Sequence, residues 1–341
     1  MWQKLNCNSK DLQLLGTLNG GQSFRLRFSK FLVKQNSEYS FSIYFRWTLK
    51  NEEWTGVFKN TVWKIKQDHT STYYRVVNSL LINSQDQNNI KKKIKLDNDD
   101  IYPTLLREYF QLNVDLQKQY LMWNEKDSNF SKISEKFYGI RVLKQEPIEN
   151  IFSFICSSNN NIQRITGLVE KLCTNYGVKI CDEDGVSYYS FPEVEALAPD
   201  GVEDNLRKLG FGYRAKYINQ TAKMITKLGG IQWINELKET DYTVAKEKLL
   251  QLPGIGPKVA DCICLMSLGH LCAVPVDTHV FQIASSPCYL PHLKKSKSVT
   301  KKIYNEIGDY FRDLYGPLAG WAQTILFCAD LKMFSNENLI K

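Results

Sequence analysis

The chain has 341 residues, 43% of them apolar and 23% charged, with a formal net charge of +8. That length supports two or three packed units, the composition excludes wholesale disorder, and no apolar run is long enough to span a bilayer. The nine cysteines are odd in number and scattered, which argues against a disulfide framework.

The start, Met1-Trp2-Gln3-Lys4-Leu5-Asn6, lacks a basic segment followed by an apolar one, so no secretory leader is expected. The mildly basic balance fits a partner made of phosphates, although charge alone decides little. Residues 41–47, 54–58, 62–65 and 72–77 alternate and are rich in aromatic and β-branched side chains. They predict an antiparallel sheet, with turns at residues 51–53 and at Lys59-Asn60. Residues 83–100 are polar and carry a lysine run at 91–95. A loop is the simpler reading and a nuclear-import signal the sharper one.

From about residue 103 the pattern turns helical and stays so. Pro103 suits a first helical turn, and apolar periodicity predicts helices over residues 148–156, 162–176, 215–228, 244–250, 259–268 and 318–331. The fold class is therefore α+β: an antiparallel-sheet domain over residues 1–135, then helical domains over residues 136–341.

The most informative segment is Leu252-Pro253-Gly254-Ile255-Gly256-Pro257-Lys258-Val259-Ala260-Asp261. It reads as helix, tight turn, helix, spanning about residues 243–268. Proline and two glycines let the backbone turn sharply and approach another molecule. Backbone amides at the head of the second helix would seat a phosphate, with Gly254, Gly256 and Val259 as contacts. Lys258 stands at that helix start, where the positive field favours the neutral, nucleophilic amine. Then comes Val274-Pro275-Val276-Asp277-Thr278-His279, and Asp277 looks like the N-cap of an apolar helix. Taken singly, these are a connector, a solvated lysine and a cap. Their combination at this spacing points to chemistry.

This constellation resembles the helix–hairpin–helix DNA glycosylase superfamily, whose signature is such a hairpin followed by a proline-rich segment and an aspartate. Longer runs narrow the resemblance to the eukaryotic 8-oxoguanine DNA glycosylase family. They are Phe152-Ser153-Phe154-Ile155-Cys156-Ser157-Ser158-Asn159-Asn160-Asn161, Gly212-Tyr213-Arg214-Ala215-Lys216-Tyr217, Tyr315-Gly316-Pro317-Leu318-Ala319-Gly320-Trp321-Ala322-Gln323, and Gly20-Gly21-Gln22-Ser23-Phe24-Arg25. The resemblance covers roughly residues 10–332. It implies a sheet domain of the TBP-like type, two helical domains with DNA between them, and base excision repair of 8-oxoguanine opposite cytosine. Lys258 would attack C1′ and form a Schiff base, Asp277 would stabilise the cationic sugar, and β-elimination would follow.

Carried over residue by residue, the same resemblance assigns the Gly21 carbonyl to N7–H of the lesion. Gln323 reads the base edge, and Phe327 and Cys262 take opposite ring faces. Asn159, Arg164 and Arg214 hydrogen-bond the orphaned cytosine, Tyr213 wedges the duplex, and His279 lies near the lesion phosphate. The i,i+4 spacings of Gln323 with Phe327 and of Lys258 with Cys262 place each pair on one helix face. Without the resemblance, Phe327 and Cys262 would read as core residues and Gly20-Gly21 as a turn.

Three departures from the family pattern stand out: extra residues at roughly 28–44, Pro257 directly before Lys258, and a freely differing segment at 286–300 with lysines. Proline lacks an N–H, so one phosphate contact is expected to be missing and DNA affinity slightly altered. No metal is expected, because Cys262-Ile263-Cys264 is too tight for a CxxC pair and only Cys272, Cys288 and Cys328 follow. No redox cofactor is expected either. A monovalent cation on backbone carbonyls near Leu250, Leu252 and Ile255 is the one candidate ion, as in related hairpins. The expected partner is double-stranded DNA containing 8-oxoguanine, with no membrane, a monomeric protein, and the nucleus as location with the mitochondrion as a second destination. Rival readings are a sister glycosylase for another oxidised base and a non-catalytic DNA-binding module. The first commonly carries a four-cysteine iron–sulfur loop that this cysteine spacing cannot supply, and the second has no need of Lys258 and Asp277 together.

Overall fold

The structure is a computed structural model that describes residues 1–23, 33–35, 38–40, 48–50, 53–83 and 101–331. Five strands form one antiparallel sheet, in the order β1-β7-β6-β5-β4: β1 (Gln3–Leu5), β4 (Thr48–Lys50), β5 (Glu53–Phe58), β6 (Thr61–Gln67) and β7 (Thr72–Ser79). Strands β2 (Val33–Gln35) and β3 (Glu38–Ser40) pair with each other. Lys59 and Asn60 join β5 to β6 with φ of 50° and 49°, while Phe58 pairs with Thr61 across them. Two consecutive left-handed residues give the twist that a two-residue hairpin needs. The strand expected over residues 41–47 and the stretch from residue 84 to 100 with its lysine run lie outside the described residues, as do the inserted residues 28–44 apart from β2 and β3.

Both faces of the sheet are covered. Trp54, Phe58, Trp63, Ile65 and Tyr74 pack against Leu12, Leu14, Leu18, Leu105, Leu106, Tyr109 and Phe110. The helix Ile101–Tyr109 supplies three of these. The alternate residues Val57 and Val62 pack against Ile180 and Tyr188. These last two belong to a second hairpin, β8 (Lys179–Glu183) and β9 (Val186–Tyr189). Lys64, pointing to the same face as Val62, binds Glu183 at 2.6 Å and Asp184 at 2.9 Å.

That hairpin corrects the expectation of uninterrupted helix after residue 103. Its signal was legible: Asp184-Gly185 is a hairpin-type turn, with φ of 52° and 75°, flanked by short alternating runs. The other helices fall where periodicity puts them, among them Pro147–Ser157, Ile162–Tyr176, Arg214–Leu228, Tyr242–Leu249 and Ala319–Asp330. The segment expected as one helix over 259–268 is an α-helix, Pro257–Ile263, that widens into a π-turn at Cys264–Leu268. Most of the helical part shares one hydrophobic core. It includes Trp123 and Phe130 from the helices Leu116–Lys126 and Ser128–Ser134, and Trp321 and Ile325 from the helix Ala319–Asp330. No helix among the described residues is long and apolar enough to cross a membrane.

Candidate active site

The turn between the helices Tyr242–Leu249 and Pro257–Ile263 is shaped by what surrounds it. Gly254 adopts φ of 79°, and a Cβ there would lie 2.7 Å from Cβ and Cγ of Tyr217. Only glycine meets both demands. Thr221 Oγ1 donates to the Pro253 carbonyl at 2.7 Å, and the Leu252 carbonyl accepts from Ile255 N–H at 3.2 Å. Pro257 occupies the first helical position, where a missing N–H costs the helix nothing. First-turn amides have no acceptor within their own helix, so those of Lys258 and Val259 are the donors this helix start can offer to an anion. The Val259 side chain itself is buried.

Lys258 projects its Nζ over the Phe154 ring, 4.7 Å from the centroid, and its charge acts on the Cys262 thiol one turn on. Burial pushes the Cys262 thiol up to about 11, against the opposing pull of the Lys258 charge. Asp277 is the N-cap of the helix Thr278–Ala284: its Oδ1 accepts from Val280 N–H at 2.9 Å, as its sequence position suggests.

What brings these two segments together is the start of the helix Ala319–Asp330. A Cβ on Gly320 would lie 2.0 Å from the Ala273 carbonyl oxygen, so glycine allows the helix to nest against residues 271–273. Gly320 N–H then donates to the Leu271 carbonyl at 3.0 Å. The same helix carries Gln323 and Phe327 one turn apart.

The result is one open cavity, with a volume of about 50 Å³. Lys258, Cys262, Asp277, Gln323, Phe327 and Gly21 all line it, so six residues from four separate stretches of sequence meet in one place. Phe154, Met266, Gln22 and Thr324 complete much of the wall and were not singled out in the sequence. Phe154 lies in a helix that is buried along nearly its whole length, where nothing distinguishes a wall residue from a core residue. His279 stands at the rim, exposed. Its Nδ1 lies 3.1 Å from Asp330 Oδ2, and its ring meets Phe327 edge-on at 5.8 Å.

Behind the wall is a charged hub that the sequence reading also missed. Asp261, three residues after Lys258, is fully buried. Its carboxylate accepts from Tyr242 Oη at 2.7 Å, Lys246 Nζ at 2.8 Å and Tyr304 Oη at 2.5 Å. Tyr304 Oη in turn accepts from the Val276 N–H at 3.3 Å. The hub therefore ties the helix before the turn, the helix bearing Lys258 and the segment bearing Asp277 to one another. Burial and the adjacent Asp261 charge push both tyrosine hydroxyls far above their ordinary range. The available signal was a carboxylate within the otherwise apolar run of residues 259–265, which must find partners if it is buried.

Asn159, Arg164, Tyr213 and Arg214 form a second cluster rather than part of the cavity wall. Asn159 follows the helix Pro147–Ser157 in a left-handed conformation, φ 45°. The buried Arg214 guanidinium donates to the Ser158 carbonyl through Nε, at 3.2 Å, and through Nη2. Nη2 also donates to the Asn159 carbonyl at 2.9 Å. Tyr213, 46% exposed, donates its hydroxyl to the Ser158 carbonyl at 3.0 Å and lies 4.5 Å under the guanidinium. The exposed Arg164 reaches the Gly210 carbonyl at 3.5 Å. Neighbouring Asn161 caps the next helix by accepting from Arg164 N–H at 3.0 Å. All nine thiols are free, and among the described residues no group of three or more His, Cys, Asp or Glu could hold a metal ion.

Comparison with known proteins agrees with this architecture. Residues 4–151 match the family model described as the 8-oxoguanine DNA glycosylase N-terminal domain. Residues 152–308 match that of the HhH-GPD superfamily base excision DNA repair protein. The chain is 36% identical to an N-glycosylase/DNA lyase of Saccharomyces cerevisiae, over 96% of this chain and 86% of that protein. It is 40% identical to the N-glycosylase/DNA lyase OGG1 of Arabidopsis thaliana, over 66% of this chain and 61% of that one. Among solved structures it resembles the Clostridium acetobutylicum 8-oxoguanine glycosylase/lyase in complex with double-stranded DNA containing cytosine opposite 8-oxoguanine. That likeness has a TM-score of 0.70 and 25% identity over 96% of this chain and 93% of that one.

Proposed function

This chain belongs to the 8-oxoguanine DNA glycosylase family of the HhH-GPD base excision repair superfamily, and from that premise we propose that it excises 8-oxoguanine lying opposite cytosine in duplex DNA. It is a DNA N-glycosylase with lyase activity. The observation that carries the substrate reading is the one cavity lined by an amine, a carboxylate and a set of base-reading groups.

A stacked base hides its C1′ carbon, so the damaged nucleotide must leave the duplex before Lys258 can reach it. As the C1′–N9 bond breaks, its electrons pass to the base and positive charge grows on the sugar. Asp277 stabilises that charge, which is full only in the transition state. The neutral Lys258 amine forms a bond to C1′ and loses a proton, and the departing base gains one. Ring opening then gives an imine between Lys258 and C1′. Loss of a C2′ proton expels the 3′ phosphate, and water hydrolyses the imine to free the enzyme.

Recognition follows from one atom. Guanine has a lone pair at N7 where 8-oxoguanine has N–H, so a carbonyl at Gly21 attracts the lesion and repels the normal base. Gln323 pairs with the base edge, while Phe327 and Cys262 enclose its two faces. On the other strand, Arg164 and Arg214 suit the O2 and N3 acceptors of cytosine, and Asn159 its N4 donor. Tyr213 fills the gap, His279 meets the phosphate, and Gly254, Gly256 and Val259 carry the backbone contacts of the hairpin. The carbonyl oxygens of Leu250, Leu252 and Ile255 are hard donors without a carboxylate among them, which suits a monovalent rather than a divalent cation.

Borohydride trapping tests the reading. The protein should crosslink to a duplex bearing 8-oxoguanine opposite cytosine, and Lys258→Gln should leave no adduct. An adduct on thymine glycol but none on 8-oxoguanine would move the chain to a sister activity.

A further inference from the structure

The Gly21 carbonyl belongs to the peptide between Gly21 and Gln22, so whatever holds residue 22 holds that oxygen. Gln22 is 1% exposed. Its Nε2 donates to the Arg141 carbonyl at 2.8 Å, and its Oε1 accepts from Leu143 N–H at 2.8 Å. The carboxamide thus docks on residues 141–143 as a strand neighbour would.

The backbone of the same residue is held from the other end. Gln145, 4% exposed, donates Nε2 to the Gln22 carbonyl at 2.7 Å. It is fixed in turn by its own N–H, which donates to the Met266 carbonyl at 2.7 Å. Met266 is itself part of the cavity wall. Gly21, at φ 70°, runs along the Phe327 ring, where a Cβ would meet Cε1 at 3.5 Å. Gln22 is therefore held through both its side chain and its carbonyl, which fixes the peptide that precedes it, and Gly21 is backed by the ring on which the base would stack.

We infer that Gln145, acting through Gln22, is a positioning residue that sets selectivity for the oxidised base. This rests on the reading of Gly21 as the acceptor for N7–H. The physical reason is that one oxygen supplies both halves of the discrimination. It gains a hydrogen bond with the lesion and faces a lone pair on guanine, and both terms are steep in distance and angle. A carbonyl free to swing loses the attraction and relieves the repulsion, so selectivity falls from both sides. Substrate and competitor differ only at N7 and at the neighbouring C8, where one carries an oxo group and the other a hydrogen, and a general loss of affinity would not change their ratio.

Gln145→Met keeps the length and apolar volume of the side chain and removes the donor. In a Lys258→Gln background, binding to duplexes with 8-oxoguanine or guanine opposite cytosine is measured by fluorescence anisotropy. The preference for 8-oxoguanine should fall roughly three- to ten-fold. In the lysine-bearing protein, strand cleavage at a preformed abasic site, which presents no base to Gly21, should be unchanged. Gln145→Asn withdraws the amide by one methylene and should act in the same direction. Gln67 is a comparably bonded glutamine remote from the cavity, donating to the Leu12 carbonyl at 2.5 Å and accepting from Leu14 N–H at 3.1 Å. Gln67→Met should lower the melting temperature and leave the preference alone.

An unchanged preference in both Gln145 variants, or an equal loss in Gln67→Met, overturns the inference. So does a parallel loss of abasic-site cleavage, which would mean general loosening. A parent protein without any preference would overturn the substrate reading as well, and is recognised before any substitution is made.

Discussion

Two regions about one helical turn apart on the helix Pro147–Ser157 are built on opposite principles. Phe154 faces the cavity that holds Lys258 and Asp277, and Ser158, four residues on, anchors the cluster of Tyr213 and Arg214. On the cavity side the reactive groups are braced from behind by buried partners that do not line the cavity, Asp261 and Gln145. On the other side Tyr213 and Arg164 stand in solvent, and the arginines spend donors on carbonyls of the protein itself. Preorganisation is useful where charge must be stabilised the moment it appears. A group that reads the opposite strand can exchange a protein carbonyl for a base when DNA arrives. The comparison predicts that substitutions on the cavity side change rates and stability, while those on the loop side change affinity.

The largest effect should come from Asp277→Asn. Asparagine caps a helix about as well as aspartate, so the Thr278–Ala284 helix and the melting temperature should hold. The charge beside the developing cation is lost, and single-turnover base release should slow roughly a hundred- to a thousand-fold. A matching fall in melting temperature would show that residue 277 matters as a cap rather than as a charge.

Next is Asp261→Leu. It strands Lys246, whose side chain is 18% exposed, and leaves two tyrosine hydroxyls short of an acceptor. Removing one partner of such a pair costs about 3 kcal/mol, measurable by urea denaturation. The double variant Asp261→Leu with Lys246→Met should recover part of that stability, because the unpaired charge is gone. Base release should stay slow in the double variant, since the tie from Tyr304 to the Val276 amide has lost its anchor. Full recovery of rate would mean that the hub stabilises the fold without placing Lys258 against Asp277.

This division between braced and exposed groups also explains what the sequence could and could not reveal. Lys258, the glycine turn and Asp277 lie within 24 consecutive positions, residues 254–277, and each residue type announces its chemistry. Gln323 and Phe327 were legible as a pair because helical spacing puts them on one face. The braces were not, because Asp261, Gln22 and Gln145 are identified only by partners far away in sequence: Tyr304 for the first, Arg141 for the second, and Gln22 itself, 123 residues distant, for the third. The hairpin of β8 and β9 was missed for another reason. Its Asp-Gly turn was present, but a long run of helical periodicity on either side outweighed it.

On the loop side, Tyr213→Ala should leave the melting temperature nearly unchanged, since the ring is 46% exposed. It should weaken binding to the lesion duplex roughly ten-fold through lost stacking. Arg214→Ala sharpens the contrast, because Arg214 serves both states. In the free protein it satisfies the Ser158 and Asn159 carbonyls, so its loss should also cost about 1–2 kcal/mol of stability. Equal melting temperatures for the two variants would remove the structural half of that role.

The smallest effect tests how closed the cavity wall is. Burial raises the Cys262 thiol to about 11, so at pH 8 only about one molecule in a thousand carries the thiolate that alkylating agents attack. The sign is clear: a raised thiol pKa keeps the sulfur protonated through the working range, and labelling should climb about ten-fold per pH unit until pH approaches 11. The same protonation keeps the sulfur from competing with Lys258 for C1′, although both line the same cavity. Cys288 is exposed and should react first with iodoacetamide, as peptide mass spectrometry would show. If Cys262 were labelled as fast as Cys288 at pH 8, the wall behind the base would be open to solvent, and the contrast between a braced side and an adaptable one would fail where the chemistry needs it most.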